Sequence, residues 1–360
     1  MGIKREMTPR ERILAAIRHQ PVDALPTDYW GVGEITEKLM KHFGISDNDH
    51  IALADALDID SPLGIWTPHK PGLDKDPFGL EWKKIPLPDG SGFYDEPVAH
   101  PLAKYETVDD IEANFTWPKP EDVYDYSGIP ELIKRYKKED RAIDGGYISL
   151  TYQYDLLRGT EQMLLDFGGD PEMADYMLER LDGFYATHSE NILKAADGAI
   201  DWSQCTDDFG SQHSLLMSEK MIERYLGKYY RKNIAMIKSY GAKVFHHDDG
   251  AVASLIPWII ETGCEILNPL QWHLPGWDLH EIKKKYGEKL CFHGGIDNQL
   301  VLPFQSVNEV KAEVEACIDA LYKPDRTGYI LAPCHNCQAF TPVENILTMY
   351  EHAREYSSRI

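Results

Sequence analysis

The stretch that decides the fold is Lys243-Val244-Phe245-His246-His247-Asp248-Asp249-Gly250, a short run that ends in four polar side chains and a glycine. It predicts a buried strand, and the segment 251–262 predicts a helix. Packing does not require two histidines and two aspartates at a strand end, whereas a metal site or a proton-transfer site often does. In a purely structural interpretation, Asp248 or Asp249 would cap the helix and the histidines would face solvent. We favour a functional role because similar polar ends recur on other predicted strands.

Strands and helices alternate regularly from about residue 129 onward. The predicted strands are 142–150, 199–205, 243–247, 265–268, 290–293 and 329–332. This spacing predicts a parallel sheet, and at least six strand–helix units in series favour an α/β fold of the (β/α)8 TIM barrel type over an open sheet. A nucleotide-binding fold has no local support, because the sequence contains neither a Gly-x-Gly-x-x-Gly run after a first strand nor a Walker motif.

The N-terminal part is less regular. A helix is predicted to begin after Thr8, which opens a capping box, and the segment 25–31 predicts a strand that runs into a loop. Residues 60–128 are rich in proline, glycine and aromatic residues and predict an irregular insertion that covers a larger body. We expect residues 1–360 to form a single barrel domain.

Composition excludes several classes of partner. The chain carries 37 basic and 59 acidic residues, a formal charge of -22. Nucleic acid and anionic membrane surfaces both require a basic surface, so neither is an expected partner. No apolar run approaches the roughly 20 residues that span a bilayer. The six cysteines are scattered rather than arranged as a small disulfide framework, which predicts a cytoplasmic location.

Polar side chains cluster where the predicted strands end. In a parallel barrel, the loops at the carboxyl ends of the strands build the active site. The residues at these ends are Asp28, Tyr29, Trp30, Asp207, Asp208, His246, His247, Asp248, Asp249, Asn268, Gln271, Trp272, His293, Asp297, Cys334, His335, Asn336 and Cys337. We expect them to converge on one mouth.

A metal site is predicted within this group. His247 and Asp249 are two residues apart, so both side chains point the same way in an extended segment. His335 or a cysteine from a neighbouring strand end would complete a three-ligand set with an open position, which suits zinc as a Lewis acid. The Cys334-x-x-Cys337 pair has no second pair at zinc-ribbon spacing, so one of these cysteines as a ligand stays an alternative.

At this point the sequence resembles the uroporphyrinogen decarboxylase superfamily over nearly its whole length. The segments that carry the resemblance are Leu157–Gly159, Asp207–Gly210, Val244–Gly250, Ile266–Pro269, Phe292–Asp297, Leu331–Pro333 and Thr341–Ile346. The resemblance implies a (β/α)8 barrel, often dimeric, with its site at the barrel mouth. It also implies one of two activities: cofactor-free decarboxylation of uroporphyrinogen, or cobamide-dependent methyl transfer, usually with zinc.

The two branches differ in their site residues. In the methyltransferase branch the zinc ligands look like His-x-Cys after one strand and a Cys before the Thr-Pro-x-Glu-Asn-Ile helix. Here His247 matches the first ligand, Asp249 stands in place of the first Cys, and His335 falls at the second Cys position. The resemblance therefore implies a metal site in which Asp and His replace the thiolates.

The decarboxylase branch has an arginine-rich motif after its first strand, because a porphyrinogen with many carboxylates needs fixed cations. This chain has Asp28-Tyr29-Trp30-Gly31-Val32-Gly33 at that place, without arginine. An aspartate and two aromatic residues suit a smaller substrate, such as a methoxylated aromatic compound.

The sequence therefore predicts a corrinoid-dependent methyltransferase, such as the demethylating component of an O-demethylase system. It would act on a small methylated substrate, hold zinc, and meet a cobamide carried on a separate corrinoid protein; a homodimer is a further expected partner. His247, Asp249 and His335 are the predicted metal ligands or acids, and Asp208 is a further predicted catalytic residue. The predicted substrate-binding residues are Asp28, Tyr29, Trp30, Asp207, Gln271, Trp272 and His293. A decarboxylase that uses acid–base groups alone, or a non-catalytic barrel that binds a ligand, remains the alternative.

Overall fold

The computed structural model describes residues 6–46, 49–73, 76–86 and 92–360. Its strands are β1 (Leu63–Ile65), β2 (Trp82–Pro86), β3 (Phe93–Pro97), β4 (Ile143–Ile148), β5 (Trp202–Cys205), β6 (Lys243–His247), β7 (Ile266–Asn268), β8 (Cys291–Ile296) and β9 (Tyr329–Pro333). Seven of them form one curled parallel sheet in the order β1-β4-β5-β6-β7-β8-β9. The protein thus has an α/β fold that is TIM-barrel-like, with the strand ends of interest on one edge.

An N-terminal segment lies beside the last strand of this sheet. Thr27 forms a parallel bridge with Leu331 of β9. The N–H of Asp28 donates to the carbonyl oxygen of Leu331 at 2.9 Å, and the N–H of Asp60 donates to the carbonyl oxygen of Thr27 at 2.9 Å. The segment predicted as a strand over 25–31 therefore contacts β9 on one side and, on the other, the residue three positions before β1.

Helices pack around the sheet. They are α1 (Pro9–Ile17), α2 (Gly33–Phe43), α3 (His50–Leu57), α4 (Val108–Asn114), α5 (Pro120–Val123), α6 (Ile129–Tyr136), α7 (Leu150–Arg158), α8 (Thr160–Gly169), α9 (Pro171–Ala196), α10 (Glu219–Ser239), α11 (Ile256–Thr262), α12 (Leu279–Tyr286), α13 (Val301–Phe304), α14 (Val307–Cys317) and α15 (Val343–Ser357). Within the ranges described, none of these helices is both long and apolar enough to cross a membrane.

Most of the predicted elements from residue 129 onward are confirmed, with two differences in that part of the chain and one before it. The helix predicted over 251–262 begins only at Ile256, after a 3-10 turn. Helix α7 was not predicted. The region predicted as an irregular insertion begins too early at residue 60, because Leu63–Ile65 is a strand of the main sheet.

The rest of the insertion forms a covering layer. Strands β2 and β3 form a separate antiparallel hairpin that leaves most of its side chains exposed. Phe78 packs against Phe184 and Tyr185 of α9, with ring centroids 4.8 Å and 6.0 Å away. Below this layer, β8 and β9 are buried at every position, as expected for parallel strands that are covered on both faces.

Candidate functional site

Three predicted ligands lie together at the carboxyl ends of β6 and β9. The Nε2 atom of His247 is 3.6 Å from Oδ2 of Asp249, and the Nε2 atom of His335 is 3.8 Å from the same oxygen. One ligand atom from each residue lies within 4.8 Å of the others. Around a tetrahedral zinc ion, nitrogen and oxygen ligands are about 3.3 Å apart. The three ligand atoms are therefore slightly farther apart than they would be around a bound zinc ion.

Asn268, at the end of β7, sets the orientation of His247. The Nδ1–H group of His247 donates to Oδ1 of Asn268. The neutral ring therefore holds its lone pair on Nε2, the atom that faces Asp249. Burial lowers the pKa of His247, but the carboxylates of Asp249 and Asp208 outweigh it and raise that pKa to about 9. A proton on Nε2 thus competes with any cation at this place.

His335 has the opposite polarity. The backbone N–H of Asn336 donates to Nδ1 of His335 at 2.8 Å. Nδ1 is therefore an acceptor, and the neutral ring carries its proton on Nε2. Burial lowers the pKa of His335, and the nearby Asp249 only partly offsets this. The ring is thus neutral near pH 7 and can donate a hydrogen bond through Nε2–H; to bind a metal through Nε2 it would have to give up its bond from Asn336.

A buried acid–base pair lies behind this cluster. Asn268 donates through Nδ2 to Nδ1 of His293 at 2.8 Å, so the Nε2–H group of His293 donates to Oδ2 of Asp28 at 3.0 Å. The indole N–H of Trp30 donates to the same carboxylate oxygen at 3.0 Å. Asp28, His293 and Asn268 are all buried. One hydrogen-bonded chain therefore joins Asp28, through His293 and Asn268, to His247.

The three aromatic residues that were predicted to bind substrate, Tyr29, Trp30 and Trp272, do not lie together. The ring of Trp30 lies against three imidazoles, with centroids 5.6 Å from His247, 5.7 Å from His293 and 6.4 Å from His335. Tyr29 instead contacts the hydroxyl group of Thr36 at 3.1 Å.

Trp272 lies elsewhere as well. Its indole N–H donates to the carbonyl oxygen of Gly295 at 2.9 Å, and its ring stacks near His273 with centroids 3.9 Å apart. Of the three predicted aromatic residues, Trp30 alone contacts the histidines of the cluster in the part of the chain that the structure describes.

Asp207 and Gln271, two of the predicted substrate-binding residues, form hydrogen bonds that join neighbouring segments near the carboxyl ends of the strands. Asp207 is buried and accepts hydrogen bonds from Ser149, Thr151 and Tyr230. Burial raises its pKa to about 6, although these hydrogen bonds lower it. Gln271 accepts the backbone N–H of Gly250. Their direct contact with a ligand stays a prediction.

The purely structural interpretation of residues 243–250 is wrong. Oδ1 of Asp248 accepts the backbone N–H of Phe209 at 2.7 Å, and α11 begins seven residues after Asp249, so neither aspartate caps it. His246 is fully buried, and its Nδ1 lies 3.0 Å from the carbonyl oxygen of Cys205. Two of the four polar residues therefore fix the strand ends, while His247 and Asp249 face the cluster.

The cysteine alternative has no support in the geometry. Cys334 and Cys337 are buried free thiols. The thiol of Cys334 donates to the carbonyl oxygen of Leu270 at 3.3 Å, and burial raises its pKa well above the usual range. Within the described ranges, the group of possible metal ligands contains His247, Asp249 and His335 and no cysteine.

Asn268 was predicted to lie at a strand end without a role, and Asp144 was not predicted as a site residue. Asn268 joins the two histidine systems, and the signal available for it was a polar amide directly before Pro269 at the end of an apolar strand. Asp144 lies in β4, and its carboxyl group faces the interior near Asp28. An aspartate in an otherwise apolar strand was the signal that could have found it.

Comparison with known proteins gives three findings. A family model described as "Uroporphyrinogen decarboxylase (URO-D)" matches residues 149–356. A curated protein from Koribacter versatilis, "Uroporphyrinogen decarboxylase", is 31% identical over 111 residues, which is 30% of this chain and 28% of that relative's length. A solved "methyltransferase from Methanosarcina mazei" has a TM-score of 0.71 at 17% identity, and the match covers 98% of this chain and 99% of that one.

The structural match shows a shared fold across nearly the whole chain. The family model covers the strands and loops that supply His247, Asp249, Asn268, His293 and His335. Because that model matches more than half of the sequence, the chain belongs to the uroporphyrinogen decarboxylase (URO-D) family.

Proposed function

We propose that this chain is a corrinoid-dependent methyltransferase that moves a methyl group between a small methylated substrate and a separate corrinoid protein. The observation that carries the proposal is the cluster of His247, Asp249 and His335 at adjoining strand ends. Family membership and the fold shared with a methyltransferase support an enzyme of this kind. We also propose that the segment around Thr27 closes the sheet as the eighth strand of a barrel, since it is hydrogen-bonded to Leu331 and to Asp60.

The residues present fit a divalent metal such as zinc. His247 directs the lone pair of its neutral Nε2 toward Asp249, and Oδ1 of Asp249 is buried without a hydrogen-bond partner among the described residues. Nitrogen and carboxylate ligands are those that zinc accepts in catalytic sites. His247 and Asp249 would hold the ion, which would act as a Lewis acid on the heteroatom that loses the methyl group. Asn268 would keep His247 in the ligating tautomer.

His335 has a separate task in this proposal. A methyl–heteroatom bond is unreactive because its leaving group is poor, and protonation of the heteroatom improves it. The Nε2–H group of the neutral His335 is directed toward the cluster and would donate a hydrogen bond to that heteroatom, which stabilises the negative charge that develops as the methyl group leaves. A cobamide bound to the partner protein would supply Co(I) as the nucleophile for the methyl group. Trp30 would exclude water from the mouth because its ring covers the histidines.

The test is methyl transfer to a reduced corrinoid protein. A panel of methoxylated aromatic compounds, methylamines and methyl thiols is mixed with the zinc-loaded chain and Co(I) cobamide protein. We expect the absorbance of Co(I) to give way to that of methyl-Co(III) with at least one substrate class. The His247→Ala variant should abolish this change. Failure of every substrate class with a metal-loaded, folded chain would contradict the proposal.

A decarboxylase is the second candidate, and the buried pair of Asp28 and His293 favours it, since it could move a proton without a metal. The matched curated relative carries that activity in its name. We expect no turnover of uroporphyrinogen, because the segment Asp28–Gly33 has no arginine to bind its carboxylates. Anaerobic incubation with uroporphyrinogen, followed by chromatography of the products, tests this. Coproporphyrinogen formed at an enzyme-like rate would reverse the ranking of the two candidates.

A further inference from the structure

A cavity of about 350 Å³ lies between the covering layer, α9 and the strands β1 and β4. His247, Asp249 and His335 do not line it. Its floor is formed partly by Gly145 and Gly146, which leave the sheet without side chains at this place. The cavity is thus a second site, built from elements that do not carry the metal cluster.

Aromatic rings form a large part of its wall. They include Trp66, Phe78, Tyr124, Tyr147, Tyr152 and Tyr185. Phe78 and Tyr185 stack with centroids 6.0 Å apart, and the hydroxyl group of Tyr185 donates to Gln153 at 2.7 Å, so these rings are held in place. Rigid ring faces carry negative electrostatic potential, which attracts cations that have lost part of their hydration.

The charges around the cavity have one sign. Among the described residues that line it, none is lysine or arginine, whereas Asp76 and Asp144 are both present. His188 also lines it, and burial, with a smaller contribution from His69, lowers the pKa of His188 to about 4. That ring is therefore neutral near pH 7, where it stacks on Tyr124 with centroids 3.9 Å apart. The described lining residues therefore include no cationic side chain that could form an ion pair with an anionic ligand.

Asp144 supplies the carboxyl group that lacks a partner. No other residue in the described ranges makes a hydrogen bond or ion pair with its side chain. Burial, and then the neighbouring charge of Asp28, raise the pKa of Asp144 to about 7. A cation beside Asp144 would stabilise its ionised form, because no opposite charge offsets that carboxylate when the cavity is empty. Asp28 offers no such compensation, because it carries the same charge and is paired with His293.

We propose that this cavity binds a small organic cation of the alkylated ammonium class, with the ring faces around its methyl groups and Asp144 beside its charge. Such a cation is weakly hydrated, is small enough to enter the cavity and needs no hydrogen-bond donor from the protein. The proposal does not depend on methyl transfer, because binding alone is claimed. A metal-free chain without any corrinoid protein should therefore bind the cation.

The probe pair is choline and its uncharged carbon isostere, 3,3-dimethylbutan-1-ol. Binding is measured by titration calorimetry at about 0.15 M salt. The salt screens the general attraction of cations to a chain of net charge -22. We expect choline to bind at least about tenfold more tightly than the isostere. Asp144→Asn should weaken choline binding roughly 10- to 100-fold and leave the binding of the isostere unchanged. It should not unfold the protein, because it replaces an unpaired acid.

Glu131→Gln is the matched control, since it removes one exposed carboxylate from α6 at a distance from the cavity lining. It should leave choline binding unchanged. Tyr152→Ala removes a half-exposed ring of the lining and should weaken choline binding with little effect on the melting temperature.

Three outcomes would overturn the proposal. One is equal affinity of choline and the isostere, which would make the cavity a site for neutral apolar ligands. Another is the absence of binding by either probe. The third is choline binding that neither Asp144→Asn nor Tyr152→Ala weakens, which would place the cation elsewhere.

Discussion

His247 and His335 meet at one carboxylate with opposite hydrogen-bond polarity. When neutral, His247 presents a lone pair on Nε2 because its Nδ1–H donates to Asn268, and His335 presents an N–H on Nε2 because Asn336 donates to its Nδ1. Asp249 lies between the two rings. The two histidines are therefore unequal: one suits a metal ligand and the other suits a hydrogen-bond donor.

His335→Ala tests this hydrogen-bond donor. We expect the methyl-transfer rate to fall roughly 10²- to 10⁴-fold, because a hydrogen bond to the leaving heteroatom is lost. The melting temperature should hardly change, since this side chain is 40% exposed and contributes little to packing. His280→Ala, which removes an exposed histidine of α12, is the control. A normal rate together with a lowered melting temperature would give His335 a structural role instead.

Asn268→Ala tests the positioning of His247. The change leaves buried nitrogens of His247 and His293 without their partner, so we expect unfolding to become easier by about 1–3 kcal/mol. Metal affinity should weaken roughly 10- to 100-fold, because the ligating tautomer is no longer fixed.

Asn345→Ala is the matched control for this variant, since Asn345 is also buried and donates to two carbonyl oxygens, those of Leu302 and Gln305. It should cost similar stability and leave metal affinity intact. Equal metal affinity in Asn268→Ala and the wild type would show that His247 is oriented by other contacts.

The sequence could predict which strand end each site residue follows, but not how its side chain is hydrogen-bonded. Asp249 and His335 were placed correctly because each follows an apolar strand in a repeating pattern. The protonated nitrogen of each imidazole could not be predicted, because it depends on an amide in another strand or on a loop N–H. The contact of Tyr29 with Thr36 could not be predicted either. The alternation of side chains along a strand predicts which way a residue faces only where the backbone stays extended.

At the scale of elements, helix starts were the most predictable feature. The side chain of Thr8 accepts the N–H of Glu11, and the Glu11 carboxylate accepts the N–H of Thr8, as the spacing predicted. Thr8→Ala should therefore lower the free energy of unfolding by about 1 kcal/mol, measured by urea titration, without changing metal binding. Thr8→Ser should restore most of that loss. An Ala variant as stable as the wild type would show that tertiary contacts alone hold α1.

Two elements could not be predicted because their local signals conflict with their final state. Strand β1 has three residues, too few to show alternation, and it is stabilised by pairing with β4. Helix α7 contains Leu150-Thr151-Tyr152-Gln153-Tyr154, whose β-branched and aromatic residues resemble a continuing strand. Tertiary packing decides both cases, and Gly159, at φ 84°, then separates α7 from α8.

For the molecule as a whole, the cluster of His247, Asp249 and His335 predicts that the purified chain contains a metal ion. The purified chain should hold about one divalent metal ion, measured by elemental analysis after gentle purification. His247→Ala should remove it and the control His280→Ala should keep it, because the control histidine lies on the surface of α12. The absence of metal in the wild type, together with no uptake of added zinc, would count decisively against the site.

The metal-free chain should also show a pH dependence that comes from His247. Its folded pKa of about 9 lies above the ordinary value of 6.5, so its attraction to Asp249 stabilises the fold fully below about pH 6.5. That contribution, at most about 3 kcal/mol, is lost as the pH rises through 9. The stability difference between wild type and His247→Gln, measured by urea unfolding, should therefore shrink between pH 6.5 and 9.5. A constant difference would contradict the raised pKa.

The contact between Asp28 and His293 joins residues 265 positions apart, and the hydroxyl group of Tyr350 bonds to the backbone of Asp28 across 322 positions. A ribosome adds about 5–20 residues each second, so Asp28 leaves the tunnel on the order of tens of seconds before its partners. Its carboxylate must stay hydrated during that time, because burying it alone would be costly. The mouth of the fold thus cannot be completed on a growing chain until residues 293 and 350 have both been made.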